Sequence, residues 1–239
     1  MTNPFILSLE RRDSLSQDER KIAEELSSRI RHFPAKSDIV RDGDRPRESC
    51  LMLSGFSARY NLLGDGRRQI TAVHFAGDFV DLHSLLLAQM DHGVIALTDC
   101  QVSMVPHGVL TELTVTQPHF TRMLWLLTVI DATIYRQWLV ASGRLSSAGQ
   151  VAHFLCEVFV RLEVVGLTDG STFRLPINQA ELSDAMGLSV VHVNRTLQQL
   201  RADGLIEWQG ELVRILDWDG LQGRGEFDPT YLNLTPKPR

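Results

Sequence analysis

Residues 178–208 read NQAELSDAMGLSVVHVNRTLQQLRADGLIEW, and this stretch constrains the fold more than any other in the chain. It parses as two short helices around a tight turn. Asn178 is a candidate N-cap with Glu181 three residues on, the capping-box spacing that satisfies exposed backbone N–H groups in both directions. Ala180, Leu182, Ala185 and Met186 form an apolar face. Gly187 is free to take a positive φ at the corner, which Leu188 plugs. Ser189 is a second N-cap, opening a helix whose buried stripe is Val193, Leu197 and Leu200. Val190, Val191, Asn194, Arg195 and Gln198 then face outward, a short polar surface of the kind that enters a DNA major groove. An ordinary αα-hairpin is the competing reading, since such hairpins are common and this one is only modestly charged.

The next residues favour the first reading. Leu205 to Trp208 form a short strand, Gln209-Gly210-Glu211 a turn, and Leu212 to Ile215 a return strand, so a hairpin follows the second helix directly. The order ELSDAMGLS…VNRTLQQLRADGLIEW plus this wing resembles the C-terminal domain of the CRP/FNR family of bacterial transcription regulators.

Composition is compatible with such a protein. A chain of 239 residues with 44% hydrophobic content suits two domains. A formal charge of −5 argues against nonspecific coating of nucleic acid, but leaves room for a specific reader with local positive charge. There is no apolar run of about 18 residues and no basic start followed by an apolar segment, which implies a soluble, cytoplasmic protein without membrane contact. Cys50, Cys100 and Cys156 are few and widely spaced, the pattern of free thiols.

Elsewhere, residues 14–32 read as an amphipathic helix with Leu15, Ile22, Leu26 and Ile30 on one face. From Ile39 to about Val105, short β-runs are punctuated by glycine, with Gly64-Asp65-Gly66 the strongest turn, implying an antiparallel roll or barrel. Within it, Ile70, Ala72 and His74 alternate against Thr71, Val73 and Phe75. The succession SGFSARY, GRRQITAVHF, GDFVDL resembles the β-roll sensor domain of the same family, itself similar to cyclic-nucleotide-binding domains. Residues 118–141 form a long helix, apolar on two faces, which needs two things to pack against. One is the β-roll. The other is the same helix of a second subunit or, alternatively, more of a monomer; the resemblance implies a homodimer axis, with Met123, Leu127, Ile130, Ile134 and Trp138 at the seam. Residues 142–149 look like a hinge, 148–165 a further helix, and 166–175 a turn and a short strand. The tail after Asp217 shows no periodicity and is expected to pack through Trp218, Leu221 and Phe227 before fraying.

The resemblance also implies roles. Ser189 and His192 fall where the family contacts phosphate, and Val190, Val191, Asn194 and Arg195 where it faces base edges, with Gln198 one turn on. Arg195 suits a bidentate contact to guanine, and Val191 stands where better-known members carry a cytosine-reading glutamate. Asn178 and Gln179 lie near phosphate, although capping accounts for Asn178 equally well. In the sensor, Leu82 sits where cyclic-nucleotide binders place a ribose-holding glutamate, and His92-Gly93 where they place a phosphate-clamping Arg-Ser pair. Cyclic AMP is therefore not expected, and three cysteines cannot supply the four thiolates of an iron–sulfur cluster. A haem or another small effector reaching His74, His83, His92 or a cysteine stays open, so the cofactor is unknown. A cupin-like β-barrel enzyme or ligand-binding protein is the alternative; it would need an H-x-H metal motif, which is missing, and no catalytic constellation stands out.

The expected architecture is α+β: a β-roll sensor over 1–116, a dimerisation helix and hinge over 117–145, a winged helix-turn-helix over 146–219 and a tail over 220–239. The implied partners are double-stranded DNA, a second copy of the chain, RNA polymerase and a small-molecule effector; no catalytic or metal-binding residue is expected.

Overall fold

A computed structural model describes residues 3–239. The chain opens with α1 (Pro4–Glu10), begun by proline at its first turn and capped by the Asn3 side chain, which accepts from the Phe5 N–H. Helix α2 (Gln17–Leu26) starts at Ser16, where Ser16 and Glu19 exchange a capping box. It is shorter than the periodicity of 14–32 suggests. Ser27 and Ser28 bond back to the carbonyls of Ala23 and Glu25, and Ile30 instead begins β1 (Ile30–Phe33), pairing with Ser103.

The roll continues through β2 (Asp38–Val40), β3 (Glu48–Ser54), β4 (Phe56–Leu62), β5 (Arg68–Phe75), β6 (Gly93–Ala96) and β7 (Cys100–Pro106). These form two antiparallel sheets, β1-β7-β3 and β2-β6-β4-β5. Met52, Val80, Met90, Val94 and Val102 fill one core within the roll. A second core joins Phe5, Leu9 and Leu26 to Leu51, Leu110 of α3 (His107–Thr116) and Phe120 and Met123 of α4 (Pro118–Arg144). Neither α1 nor α3 has enough turns to stand out as a periodic segment.

After α4 come α5 (Ser147–Val164), β8 (Thr168–Asp169), β9 (Thr172–Arg174), α6 (Gln179–Met186), α7 (Val190–Ala202), β10 (Ile206–Gln209), β11 (Leu212–Ile215) and α8 (Trp218–Arg224). The wing belongs to a four-stranded sheet ordered β10-β11-β9-β8. The third and largest core is shared: Phe154, Leu155 and Val158 of α5 cluster with Leu182, Val193 and Leu197 of the helix-turn-helix and with Phe56, Ile70, Val73 and Phe75 of the roll. Strand β5 is consequently covered on both faces over Ala72–Phe75 and does not show one wet side.

Helix α4 brings a correction. All five residues expected at a dimer seam are turned toward their own subunit. Met123 lies in the second core, with Leu127 packed against it, while Ile130 and Ile134 are buried in the third. Trp138 packs edge-on to Phe154 at 5.5 Å and donates its indole N–H to Glu157. The face left exposed carries Trp125 (69%), Val129 (42%), Leu139 (73%) and Val140 (55%). The helix is apolar on both sides, as expected, but the stripe that was assigned to a partner is the one the roll and α5 cover.

Two boundaries also move. Ser142, Gly143 and Arg144 remain helical, so only Leu145 and Ser146 separate α4 from α5. The tail does not fray after Phe227. It makes a short 3-10 turn over Pro229–Leu232, buries Leu232, and returns to the N-terminal helices, where the Lys237 N–H donates to the Arg12 carbonyl and the Arg239 N–H to Asp13. No helix among the described residues is long and apolar enough to cross a membrane.

His119, near the start of α4, ties that helix to the N-terminal pair: its Nδ1 meets Glu19 at 2.5 Å and its Nε2 meets Asp13 at 3.2 Å. The bonds to Glu19 and Asp13 raise the imidazole above its ordinary 6.5. Burial pushes both carboxylates up, but backbone N–H groups and His119 outweigh it and hold them below their ordinary range. A raised histidine contributes stability that is full below 6.5 and is lost as pH climbs through the higher folded value. The lowered carboxylates contribute above 3.8 and 4.5, and lose it as pH falls through their folded values. The stability that His119 contributes should therefore decline as pH rises from the low sixes toward 8, so the gap in melting temperature between the wild type and His119→Gln should narrow across this range.

Candidate nucleic-acid interface and sensor pocket

The helix-turn-helix forms as its local signals imply. The Asn178 side chain accepts from the N–H groups of Ala180 and Glu181, and Glu181 accepts from the Asn178 N–H at 2.9 Å. Gly187 sits at φ 65°, where a side chain would be strained, and closes α6 by donating to Ser183. Ser189 then caps α7 by accepting from the His192 N–H. Leu182, Ala185 and Met186 are buried between the two helices and the roll, but Ala180 is exposed and not part of that face.

The outward face of α7 sorts into committed and free side chains. Asn194 donates to Gln179 across the two helices at 3.2 Å, and His192 meets the Ser147 hydroxyl at 2.8 Å, at the start of α5. Ser189 and Asn178 are occupied as caps. Val190, Val191 (71% exposed), Arg195 and Gln198 project into solvent, and no hydrogen bond or ion pair holds the Arg195 side chain among the described residues. A guanidinium on a rigid helix with its five donors unspent is equipped to bind an acceptor pair outside the protein.

Helix α6 is docked on the sensor. Arg68 of β5 pairs with Asp184 at 2.8 Å, and Gln69 donates to the Ala185 carbonyl. Helix α6 is thus held by the roll as well as by its own domain, a link between residues 116 positions apart that no local pattern could reveal.

The expected effector residues do not all meet. His83 and His92 come together with ring centroids 5.2 Å apart, at the mouth of an open cleft of about 360 Å³ between the roll and α4. Leu82 does not line it; it packs against the second core. Gly93 lies under the Tyr60 ring, where an added Cβ would sit 2.5 Å from a ring carbon, so that glycine makes room for Tyr60 rather than for a ligand. Burial, then Arg59, pushes His83 down to about 4, and His92 is lowered by the same causes in the same order. Both rings are therefore uncharged at neutral pH.

Three cleft residues were missed from sequence: Arg59, Asp131 and Tyr135. The buried Arg59 guanidinium pairs with Asp131 at 2.9 Å, donates to the Val80 carbonyl and to the Tyr135 hydroxyl, and stacks over the Tyr135 ring at 5.3 Å. A cation therefore stands beside the cleft, but its charge is already balanced. An arginine in a strand and an aspartate seventy-two positions later carry no local signature of pairing. No group of three or more His, Cys, Asp or Glu among the described residues is placed to hold a metal ion. The three cysteines are free, buried and apart, each thiol raised by burial, Cys156 to about 12.

Comparison with known proteins agrees with this geometry. The profile of a Crp-like helix-turn-helix domain matches residues 149–224, and that of a cyclic nucleotide-binding domain matches residues 30–117. The chain is similar to the nitrogen fixation regulation protein FixK of Bradyrhizobium diazoefficiens, 30% identical over 195 residues that span 81% of this chain and 80% of that one. It is similar to the transcriptional activator protein FnrA of Stutzerimonas stutzeri, 26% identical over 208 residues that span 87% and 85%. The solved structure of FixK2 from Bradyrhizobium japonicum matches with a TM-score of 0.74 at 25% identity, covering 81% of this chain and 95% of that one. With a β-roll, a long connecting helix and a winged helix-turn-helix in this order, the chain belongs to the CRP/FNR family of transcription regulators.

Proposed function

We propose that the protein is a homodimeric regulator, not a catalyst, that reads a palindromic operator through the first turns of α7 and tunes contact with RNA polymerase. The single observation that carries this reading is the free, exposed face of Val190, Val191, Arg195 and Gln198 on a capped helix next to a wing. Arg195 is the base reader, forking onto guanine O6 and N7. Val191 meets an apolar surface such as a thymine methyl, so the target differs from that of members with glutamate there. Asn194 faces base edges beside Arg195, with one amide donor spent on Gln179, while Gln179, Ser189, Asn178 and His192 position the phosphate backbone, their side chains being partly committed within the protein. A cupin-like enzyme is not favoured, since the roll is followed by a winged helix-turn-helix and the similar proteins are transcription regulators.

Arg195→Ala should cost about 1–3 kcal/mol per half-site and flatten one symmetric base position. Selection from random DNA with both proteins reads this directly. Half-site centres should lie about 10 base pairs, or roughly 34 Å, apart. Enrichment of the same motif with an unchanged guanine preference would remove Arg195 from the groove.

The dimer seam is the exposed side of α4. Trp125, Val129, Ala132, Arg136, Leu139 and Gly143 are all exposed and alternate four and three residues apart, the heptad spacing of a two-stranded coiled coil. Arg136 places one charge in this seam, a device that fixes register at some cost in stability. Val129→Glu and Leu139→Glu should yield folded monomers with weakened operator binding, because these residues support no core of their own subunit. Sedimentation of a monomeric wild type at micromolar concentration would sink the assignment.

The effector is neither cyclic AMP nor bound through an iron–sulfur cluster. Leu82 is spent in packing, His92 and Gly93 replace the phosphate clamp, and Arg59 is neutralised by Asp131. Millimolar cyclic AMP should leave the melting temperature unchanged, whereas a ligand at a hundredfold excess over its Kd adds about 2.7 kcal/mol. A clear upward shift contradicts this. A haem or other small molecule reaching His83 and His92 is compatible with the open cleft.

A further inference from the structure

A second, smaller cavity of about 50 Å³ lies where the end of α1, strand β5, α4 and α5 meet, distinct from the cleft at His83 and His92. Its lining includes Arg12, His74, Asp78, Asp131 and Arg161. Two of these side chains are more than nine-tenths buried and short of partners. Neither ring nitrogen of His74 makes a hydrogen bond, and the Arg12 Nε makes none either. Buried polar groups almost always find partners, so orphans that share one cavity point to something that fills it.

The charges around the cavity narrow what that is. Asp78 is paired with Arg161 at 2.9 Å and Asp131 with Arg59 at 2.9 Å, so both carboxylates facing the cavity already have a guanidinium partner. Arg12 is different. Its Nη1 is held by the carbonyl and hydroxyl of Ser8, and no carboxylate pairs with it among the described residues. Burial first, with Arg161, Arg239 and Arg11 behind it, pulls this guanidinium down to about 10 against the opposing pull of Asp78. The donors left over are therefore a guanidinium N–H and an imidazole N–H. At 10–15 Å³ per water-sized group, the space takes roughly three to five such groups.

We propose that this junction binds a small monovalent oxyanion, of nitrate, nitrite or formate size, together with one proton taken up by His74. With Arg12, Arg59 and Arg161 facing Asp78, Asp131 and Glu157, the neighbourhood is formally neutral before the anion enters. A monoanion unbalances it, and the imidazole is the group able to restore balance. Without an anion, burial first, then Arg59 and Arg161, holds His74 well below 6.5 and hence neutral. The charged and titratable groups that face it are Arg12 from the end of α1, Arg59 from β4, Asp78 from the turn after β5, His83 and His92 before β6, Asp131 from α4 and Arg161 from α5. An anion held between Arg12 and His74 reverses the sign of that environment, and the donors gain the acceptors they lack. Arg161 and Asp131 carry the site's reach into α5 and α4. The site itself does not rest on the DNA reading, because its test measures anion binding by the protein alone.

Titration calorimetry of the full-length protein with sodium nitrate, nitrite and formate, at constant ionic strength, tests this. The expected result is one saturable site per subunit for at least one of them. Repeating the titration in two buffers of different ionisation heat should show about one proton taken up per anion, with affinity rising about tenfold per unit fall in pH. His74→Leu and Arg12→Met, each checked for a cooperative melt, should weaken binding more than tenfold. Phosphate, which is larger and doubly charged, should not compete. Absence of saturable heat with all three anions, binding without proton uptake, unchanged affinity in both folded variants, or equal competition by phosphate would each overturn the proposal.

Discussion

Helix α5 has almost no side open to water, and the rest of the structure is arranged around that fact. Twelve of its eighteen residues are buried, so every neighbour must offer it a complementary face. One of them, Glu157, carries charge, and it pairs with the half-buried Arg161 on the same helix. Glu157, fully buried, accepts from Trp138 of α4, Tyr231 of the tail and Arg161 one turn on. Arg161 extends the chain of contacts to Asp78 and the Val73 carbonyl in the roll and stacks over Phe75 at 4.7 Å. Removing one member would leave a buried charge uncompensated, at a cost of about 3–5 kcal/mol. The network therefore couples roll, long helix, tail and winged domain, and it sets where α6 and α7 stand relative to the sensor.

The second consequence lies in β5. Its inner face belongs to the roll and its outer face to α5 and α6, with the Arg68–Asp184 pair at the margin. Because the sensor and the reading unit share a core, a change at α4 or β5 is felt as a packing change at α6, not transmitted through a flexible linker. The hinge is correspondingly short, two residues between α4 and α5. Close-packed interiors switch between discrete arrangements and do not deform smoothly, which suits a regulator.

The cleft at His83 and His92 uses the same roll differently from a cyclic nucleotide pocket. Arg59 supplies positive charge, but Asp131 and Tyr135 from α4 consume it. A ligand seeking that guanidinium must compete with a carboxylate held at 2.9 Å, while one seeking neutral imidazoles finds two side by side. That contrast between an occupied cation and a histidine pair in which only His92 is bonded, through Nδ1 to Asp91, is a property of these residues and not of the fold.

Much was legible in the chain itself. The capping box at Asn178, the left-handed Gly187 and the wing turn at Gly210 are local devices, and each acts through residues within about four positions. Local devices survive in a one-dimensional reading, which is why the helix-turn-helix and the free Arg195 were visible without coordinates. The periodicity of residues 118–141 likewise showed that two faces were apolar. It carried no information on which face the chain covers by itself, and Met123, Ile130, Ile134 and Trp138 proved to be spent inward while Trp125, Val129 and Leu139 were left exposed. Nor could spacing reveal Arg59 with Asp131, Arg68 with Asp184 or Arg12 beside His74, since each depends on segments brought together by the fold. Sequence determines which side chains seek burial or a counter-charge; only the packed chain decides which neighbour answers, because that choice is made by distances between residues far apart along it.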